Sequence, residues 1–187
     1  QALYFARLAN WIAPDSAFGR MTLASRLANT GLSSQATALL DGVSETQPQW
    51  SWALGDKARL LLRDDRAVDA LKLIQSARTK RPGAHDLKLL EAQQLEANGD
   101  LAGAVTIYRS LIADADKEAG KNGRRVTFRM LLAQVLDAQG NWPGTKVALE
   151  EALVLNGQNP QLLNSLGYGL LERREDVKRG FELVSKA

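Results

Sequence analysis

The stretch EANGDLAGAV, Glu96–Val105, sets a Gly-Asp pair, Gly99 and Asp100, between two strongly helical runs and places a bare Ala104 one turn further on. A glycine-bearing turn that opens a helix is either an anion-binding loop or a plain connection between helices. The phosphate-loop reading fails on context, because no strand pattern precedes the stretch and no Lys-Ser or Lys-Thr follows its glycines. Gly99 instead supplies the positive φ that closes one helix, Asp100 caps the next, and Ala104 is a close-packing point. The rest of the chain decides for the turn, since the same arrangement recurs at a fixed step.

Pro14, Pro48 and Pro82 stand thirty-four residues apart. Ala2, Ala36, Ala70 and Ala104 keep that step, as do Ala24, Ala58 and Ala92, and Leu27, Leu61 and Leu95. Gly31, Asp65 and Gly99 mark the turn inside each unit. Independent series that agree on such a period indicate stacked repeats. The next copy arrives late: Gly140 follows Gly99 by forty-one residues, with Ala133 and Leu136 in the matching places. Seven inserted residues are expected in DADKEAGKNG, Asp114–Gly123, a polar stretch with two glycines that suits a longer inter-repeat loop. A last copy runs from Pro160 to Ala187, with Leu166 and Gly167 in its first helix and Gly180 at the small position of its second.

Each unit has the physics of a helical hairpin. Leu54, Ala58 and Leu61 share one face of a first helix, and Ala70, Leu73, Ile74 and Ala77 share one face of a second. Ala58 and Ala70 lack bulk, so the paired helices can approach closely; a larger side chain there overpacks the seam. Proline closes the unit because it cannot donate a helix hydrogen bond and biases the residue before it away from helix.

Composition agrees with an all-α chain. A hydrophobic content of 45% across 187 residues excludes disorder, and Ala and Leu far outnumber aromatic residues. Without cysteine there is no disulfide, thiolate zinc site or thiol nucleophile. The net charge of +3 comes from 24 basic and 21 acidic residues spread along the chain, a poor footprint for nucleic acid. No run of apolar residues is long enough to span a membrane. The chain opens on Gln1 within one helical run and closes within another, RGFELVSKA, and so reads as a piece of a longer protein.

The thirty-four-residue step, the small residue in each helix, the turn glycine and the closing proline resemble the tetratricopeptide repeat over nearly the whole chain. The most specific pieces are NPQLLNSLGYGLLE with RGFELVSKA, where Leu163, Leu166, Gly167 and Tyr168 resemble the first-helix signature of bacterial members. GNWPGTKVALEEALVLN resembles the second helix of the preceding copy. The series, including LYFARLANWIAP, is similar to the repeat region of longer bacterial proteins, many of them exported to the periplasm or outer membrane. The resemblance implies a right-handed superhelical solenoid of antiparallel helix pairs, organised as one domain over 1–187. Residues 1–13 would be the second helix of a truncated repeat; 14–47, 48–81, 82–113, 124–157 and 158–187 would be repeats, with 114–123 as the loop.

It also implies a concave face lined by first helices, on which a protein or peptide partner would lie. Register places Trp52, Arg59, Arg63, Gln93, Gln134, Asn164 and Tyr168 there. The paired Lys and Asn clamp of chaperone-binding members is missing. Arg59 and Arg63, one turn apart, could hold a carboxylate, although Asp56 stands three residues before Arg59 and can pair with it.

Candidates for chemistry have plain structural readings. His85, the single histidine, is expected to be a solvent-exposed residue near a helix start. Carboxylate neighbours such as Asp64 with Asp65 and Glu150 with Glu151 point in different directions on a helix. The basic run KNGRRVTFR, with Lys121, Arg124, Arg125 and Arg129, is diluted by Asp116 and Glu118, and its Phe128 is expected to be buried. Trp11 and Trp142 are expected in inter-repeat packing, whereas Trp50 and Trp52 cannot both be buried on one helix face. The expectation is a non-enzymatic scaffold without cofactor or metal, binding protein and not nucleic acid. Its rivals are a spacer that self-associates through its ends and the accessory region of a larger enzyme.

Overall fold

A computed structural model of the chain describes residues 1–118, 120 and 122–187. Among these, eleven α-helices account for the regular structure: α1 Ala2–Ile12, α2 Ala17–Asn29, α3 Ser33–Asp41, α4 Trp50–Arg63, α5 Ala67–Lys80, α6 His85–Ala97, α7 Leu101–Asp116, α8 Asn122–Ala138, α9 Trp142–Leu155, α10 Pro160–Glu172 and α11 Val177–Lys186. Two compact units divide them, Gln1–Asn98 and Gly99–Ala187. Pro14, Pro48 and Pro82 all lie in turns between helix pairs.

The turns repeat one backbone device. Gly31, Gly99 and Gly140 take positive φ, and Asp65 and Arg174 do so at the equivalent places without being glycine. This left-handed residue ends one helix and redirects the chain into the next. At Gly99 φ is 81°, and the Asp100 carboxylate accepts the Gly103 amide at 2.9 Å. EANGDLAGAV is therefore a capped turn whose helix N-terminus is occupied by its own aspartate. Ser16, Asn141, Asn159 and Asp176 cap α2, α9, α10 and α11 in the same manner.

In the first unit α2 pairs with α3 and α4 with α5, while α1 lies on α2 and α6 on α5 and α4. Ala36, Ala58, Ala70 and Ala92 have no accessible surface. Ala58 and Ala70 share one apolar cluster with Leu61 and Ile74, where missing side-chain bulk lets α4 and α5 meet closely. Ala2, which opens the alanine series, is exposed, and Ala6 is the buried residue of α1.

In the second unit α8 packs between α7 and α9, and α10 pairs with α11. Thr145 occupies the small position of α9, buried, with its hydroxyl donating to the Asn141 carbonyl at 3.0 Å. The polar insertion behaves differently from the expected loop over 114–123. Helix α7 continues to Asp116 and α8 begins at Asn122, so only the short interval 117–121 separates them; residues 119 and 121 lie outside the described residues. The reason is an ionic cluster. Arg129, only 7% exposed, donates to both oxygens of Asp116 at 3.0 and 2.7 Å and to Glu151 at 3.0 Å, while Arg125 donates to Asp116 at 2.8 Å. Hydrogen bonds from the two guanidinium groups hold the Asp116 carboxyl at about 2, below the usual carboxylate range.

Candidate functional site

The first-helix face of the first unit gathers most of the expected binding residues. Trp52, Arg59 and Gln93 line one cleft of about 320 Å³ between α4 and α6, with Ser51, Gly55, Asp56, Asp86, Leu89, Leu90 and Gln94. The two helices come close at Gly55, where an added Cβ would fall 3.0 Å from a Leu90 methyl. A second cleft, of about 260 Å³, lies between α2 and α4; Arg59 and Arg63 line it with Ser25, Asn29 and Asp56. Arg59 and Asp56 thus belong to both clefts.

Packing settles the paired tryptophans. Trp50 is 7% exposed, with the Arg81 guanidinium 4.7 Å from its ring centre, whereas Trp52 is 56% exposed. Trp52 stands 6.1 Å, centroid to centroid, from Phe18 of α2, itself exposed, so the face carries an open aromatic pair. Sequence reasoning missed Phe18, although the step that fixes the repeats locates it: Phe18, Trp52 and Asp86 are thirty-four residues apart, as are Ser25, Arg59 and Gln93.

The two arginines are engaged. Arg59 is ion-paired with Asp56 across one turn, and Arg63 donates to the Ala28 carbonyl at the end of α2 at 2.6 Å. A buried acceptor of the α4–α6 cleft has no such engagement. Gln94, only 4% exposed, lines the α4–α6 cleft, and its Oε1 has no hydrogen-bond partner.

In the second unit Gln134 lines two adjoining clefts, of about 530 and 120 Å³, together with Met130 of α8 and Gln161 of α10. Thr127 and Gln161, again thirty-four apart, continue the same register, as do Gln134 and Tyr168. Asn164 and Tyr168 are exposed on α10 and line neither of these clefts.

The other sequence candidates fall into structural roles. Trp142 contacts α10 at Gly169, lies under the Arg173 guanidinium at 4.4 Å, and donates its indole N–H to Glu175 at 2.6 Å. Hydrogen bonds from Lys146 and Trp142 lower the Glu175 carboxyl below its ordinary value. Trp11 departs from expectation: it is 79% exposed on α1, because the face of that helix bearing Tyr4, Phe5, Trp11 and Ile12 points away from α2. In the basic run Phe128 is buried, Arg124 and Arg125 pair with Glu118 and Asp116, and Lys121 lies outside the described residues. His85 opens α6 half-buried rather than exposed. Among the described residues no cluster of three or more His, Asp or Glu could hold a metal, and no helix is long and apolar enough to cross a membrane.

Paired helices at this period, joined by left-handed turns and sealed by small residues, define the tetratricopeptide-like class of helical-repeat solenoid. Solved structures of that class superpose on the chain. Yeast Tom70 does so with a TM-score of 0.79 at 20% identity over 97% of this chain and 37% of its own length. The TPR-like repeats of a putative kinesin light chain from Podospora anserina reach 0.69 at 17% identity, over 92% of this chain and 93% of theirs. MamA from Desulfovibrio magneticus RS-1 reaches 0.63 at 16% identity, over 91% and 92%. No family model matches the sequence, and no curated protein does. Folds of this class generally serve as protein-interaction scaffolds.

Proposed function

We propose that the chain is a non-enzymatic adaptor that binds a protein partner along its first-helix faces. Trp52, Arg59, Arg63 and Gln93 act in the first unit, and Gln134, Asn164 and Tyr168 in the second. The observation that carries this reading is the open Phe18–Trp52 pair beside a cleft bearing Arg59, Gln93 and Gln94. Exposed aromatic and Arg side chains at the edge of a cleft are the usual anchors of protein interfaces.

Site-specific photo-crosslinking in an extract of the source cell tests it. A benzoylphenylalanine at position 52 or 134 should trap one discrete partner, and the same group at Val68 or Val154, exposed on second helices, should not. Equal trapping from both sets, or trapping from the second-helix positions alone, overturns the assignment of the face.

A second reading, self-association, is favoured by the α1 face, where Tyr4, Phe5, Trp11 and Ile12 are each more than half exposed. Light scattering on the 187-residue chain tests this reading. A dimer that Phe5→Ser with Trp11→Ser returns to monomer supports it, and a monomeric parent excludes it.

A further inference from the structure

We infer that the α4–α6 cleft accepts the basic side chain of a lysine or arginine in the partner's bound segment; this rests on the first-helix reading above. Around the cleft stand two carboxylates, Asp56 and Asp86, against the one guanidinium of Arg59, in a chain whose net charge is +3. Arg59 is already paired with Asp56, and Arg63 is held by the Ala28 carbonyl. An incoming carboxylate would have to displace these contacts and would meet Asp86 as well.

Gln94 supplies the independent observation. Its Oε1 is buried and unpartnered, and a buried acceptor without a donor is costly enough that native proteins rarely leave one. A donor that enters between α4 and α6 and draws the Gln94 carboxamide toward the cleft it lines satisfies it. A cationic donor adds attraction to Asp86, which is exposed in the first turn of α6, and to the open face of Trp52. Leu89 and Leu90 give the aliphatic stem of such a side chain an apolar wall, so the charged head reaches the acceptors while the methylenes stay covered. A neutral donor would satisfy Gln94 but leave the carboxylate and the indole unused.

The test is a titration of the 187-residue chain, followed through the Trp52 indole N–H and the Gln94 carboxamide in nitrogen–proton correlation spectra. The probes are blocked pentapeptides with lysine, glutamate or norleucine between two leucines. The lysine peptide should shift both signals saturably and bind about tenfold more tightly than the glutamate peptide. Gln94→Leu and Asp86→Asn should each weaken the lysine peptide about threefold or more, with thermal unfolding unchanged in Asp86→Asn and not lowered in Gln94→Leu. Glutamate or norleucine binding as tightly as lysine overturns the basic-side-chain assignment but keeps the face. No saturable shift at these two residues, while crosslinking at position 52 succeeds, also overturns it. Shifts confined to second-helix residues overturn both readings.

Discussion

Gly167 of α10 and Gly180 of α11 face each other backbone to backbone: a Cβ built on either would stand 3.0 Å from the other's carbonyl oxygen. The same Cβ on Gly167 would be 2.7 Å from a Val184 methyl, and on Gly180 2.7 Å from Leu171 Cγ. The last pair is therefore tighter than the alanine-sealed ones. Gly167→Ala and Gly180→Ala should each destabilise the second unit by about 1–3 kcal/mol, because backbone cannot step aside as a side chain can. The double variant should cost less than the sum, since one displacement of α11 relieves both clashes. Urea unfolding measures this, and full additivity would show that the helices do not meet here.

The left-handed turns hold two residues that pay for their φ. Arg174 at φ 52° and Asp65 at φ 57° occupy positions filled by glycine in the other turns. Arg174→Gly should stabilise by about 0.5–1 kcal/mol, and Asp65→Gly by less, since Asp tolerates this conformation better. Gly140→Ala should move the unfolding midpoint in the opposite direction. Thermal melts of the three variants provide the check.

Adjacent tryptophans should respond oppositely. Trp50→Ala removes a buried ring and should cost about 3–5 kcal/mol. Trp52→Ala removes an exposed one and should leave stability within about 0.5 kcal/mol, while lowering partner capture at the first-helix face. Denaturation midpoints and crosslinking yield, measured on the same preparations, separate the two.

Asp116 gives the fold an acid-labile joint. Its folded-state value of about 2 lies below the ordinary one of 3.8, so it contributes stability above pH 4 that is lost as pH falls through the folded value. Asp116→Asn should flatten the decline in stability between pH 4 and pH 2, most clearly in the α7–α8 region. Arg129→Ala should destabilise more than Asp116→Asn at neutral pH, because it leaves Asp116 and Glu151 without their shared donor. Urea titrations at a series of pH values read both effects.

The repeat was legible because its signals are local. A small residue at Ala36, Ala58 or Ala70 is a demand of packing between helices adjacent in the chain, and a turn residue at Gly31 or Gly99 is a demand of its own backbone, so both survive as letters at fixed spacing. The insertion was misread for the opposite reason. Asp116 read alone looks like a loop residue, yet it ends α7 as the acceptor for Arg125 and Arg129 of α8, and Arg129 is buried by that pairing. Trp11 looked like a packing residue because it lies beside a helix end, where repeats pack, and nothing in its own segment says that its face of α1 lies open.

The candidate site divides along the same line. Trp52, Arg59 and Gln93 were placed on one face by helical register, and the structure brings all three to one cleft. Phe18 and Asp86 were within reach of the same thirty-four-residue step. Gln94 was not, because burial of a polar residue depends on which neighbouring helix covers it. By itself the sequence determined the class of fold, the period, the turns and the helix face that carries the candidate anchors, all properties of periodicity along one chain. Tertiary structure alone decided which tryptophan opens to solvent, that Arg63 is held by the Ala28 carbonyl and that the Gln94 acceptor is left unpaired, because each depends on atoms contributed by helices distant in sequence.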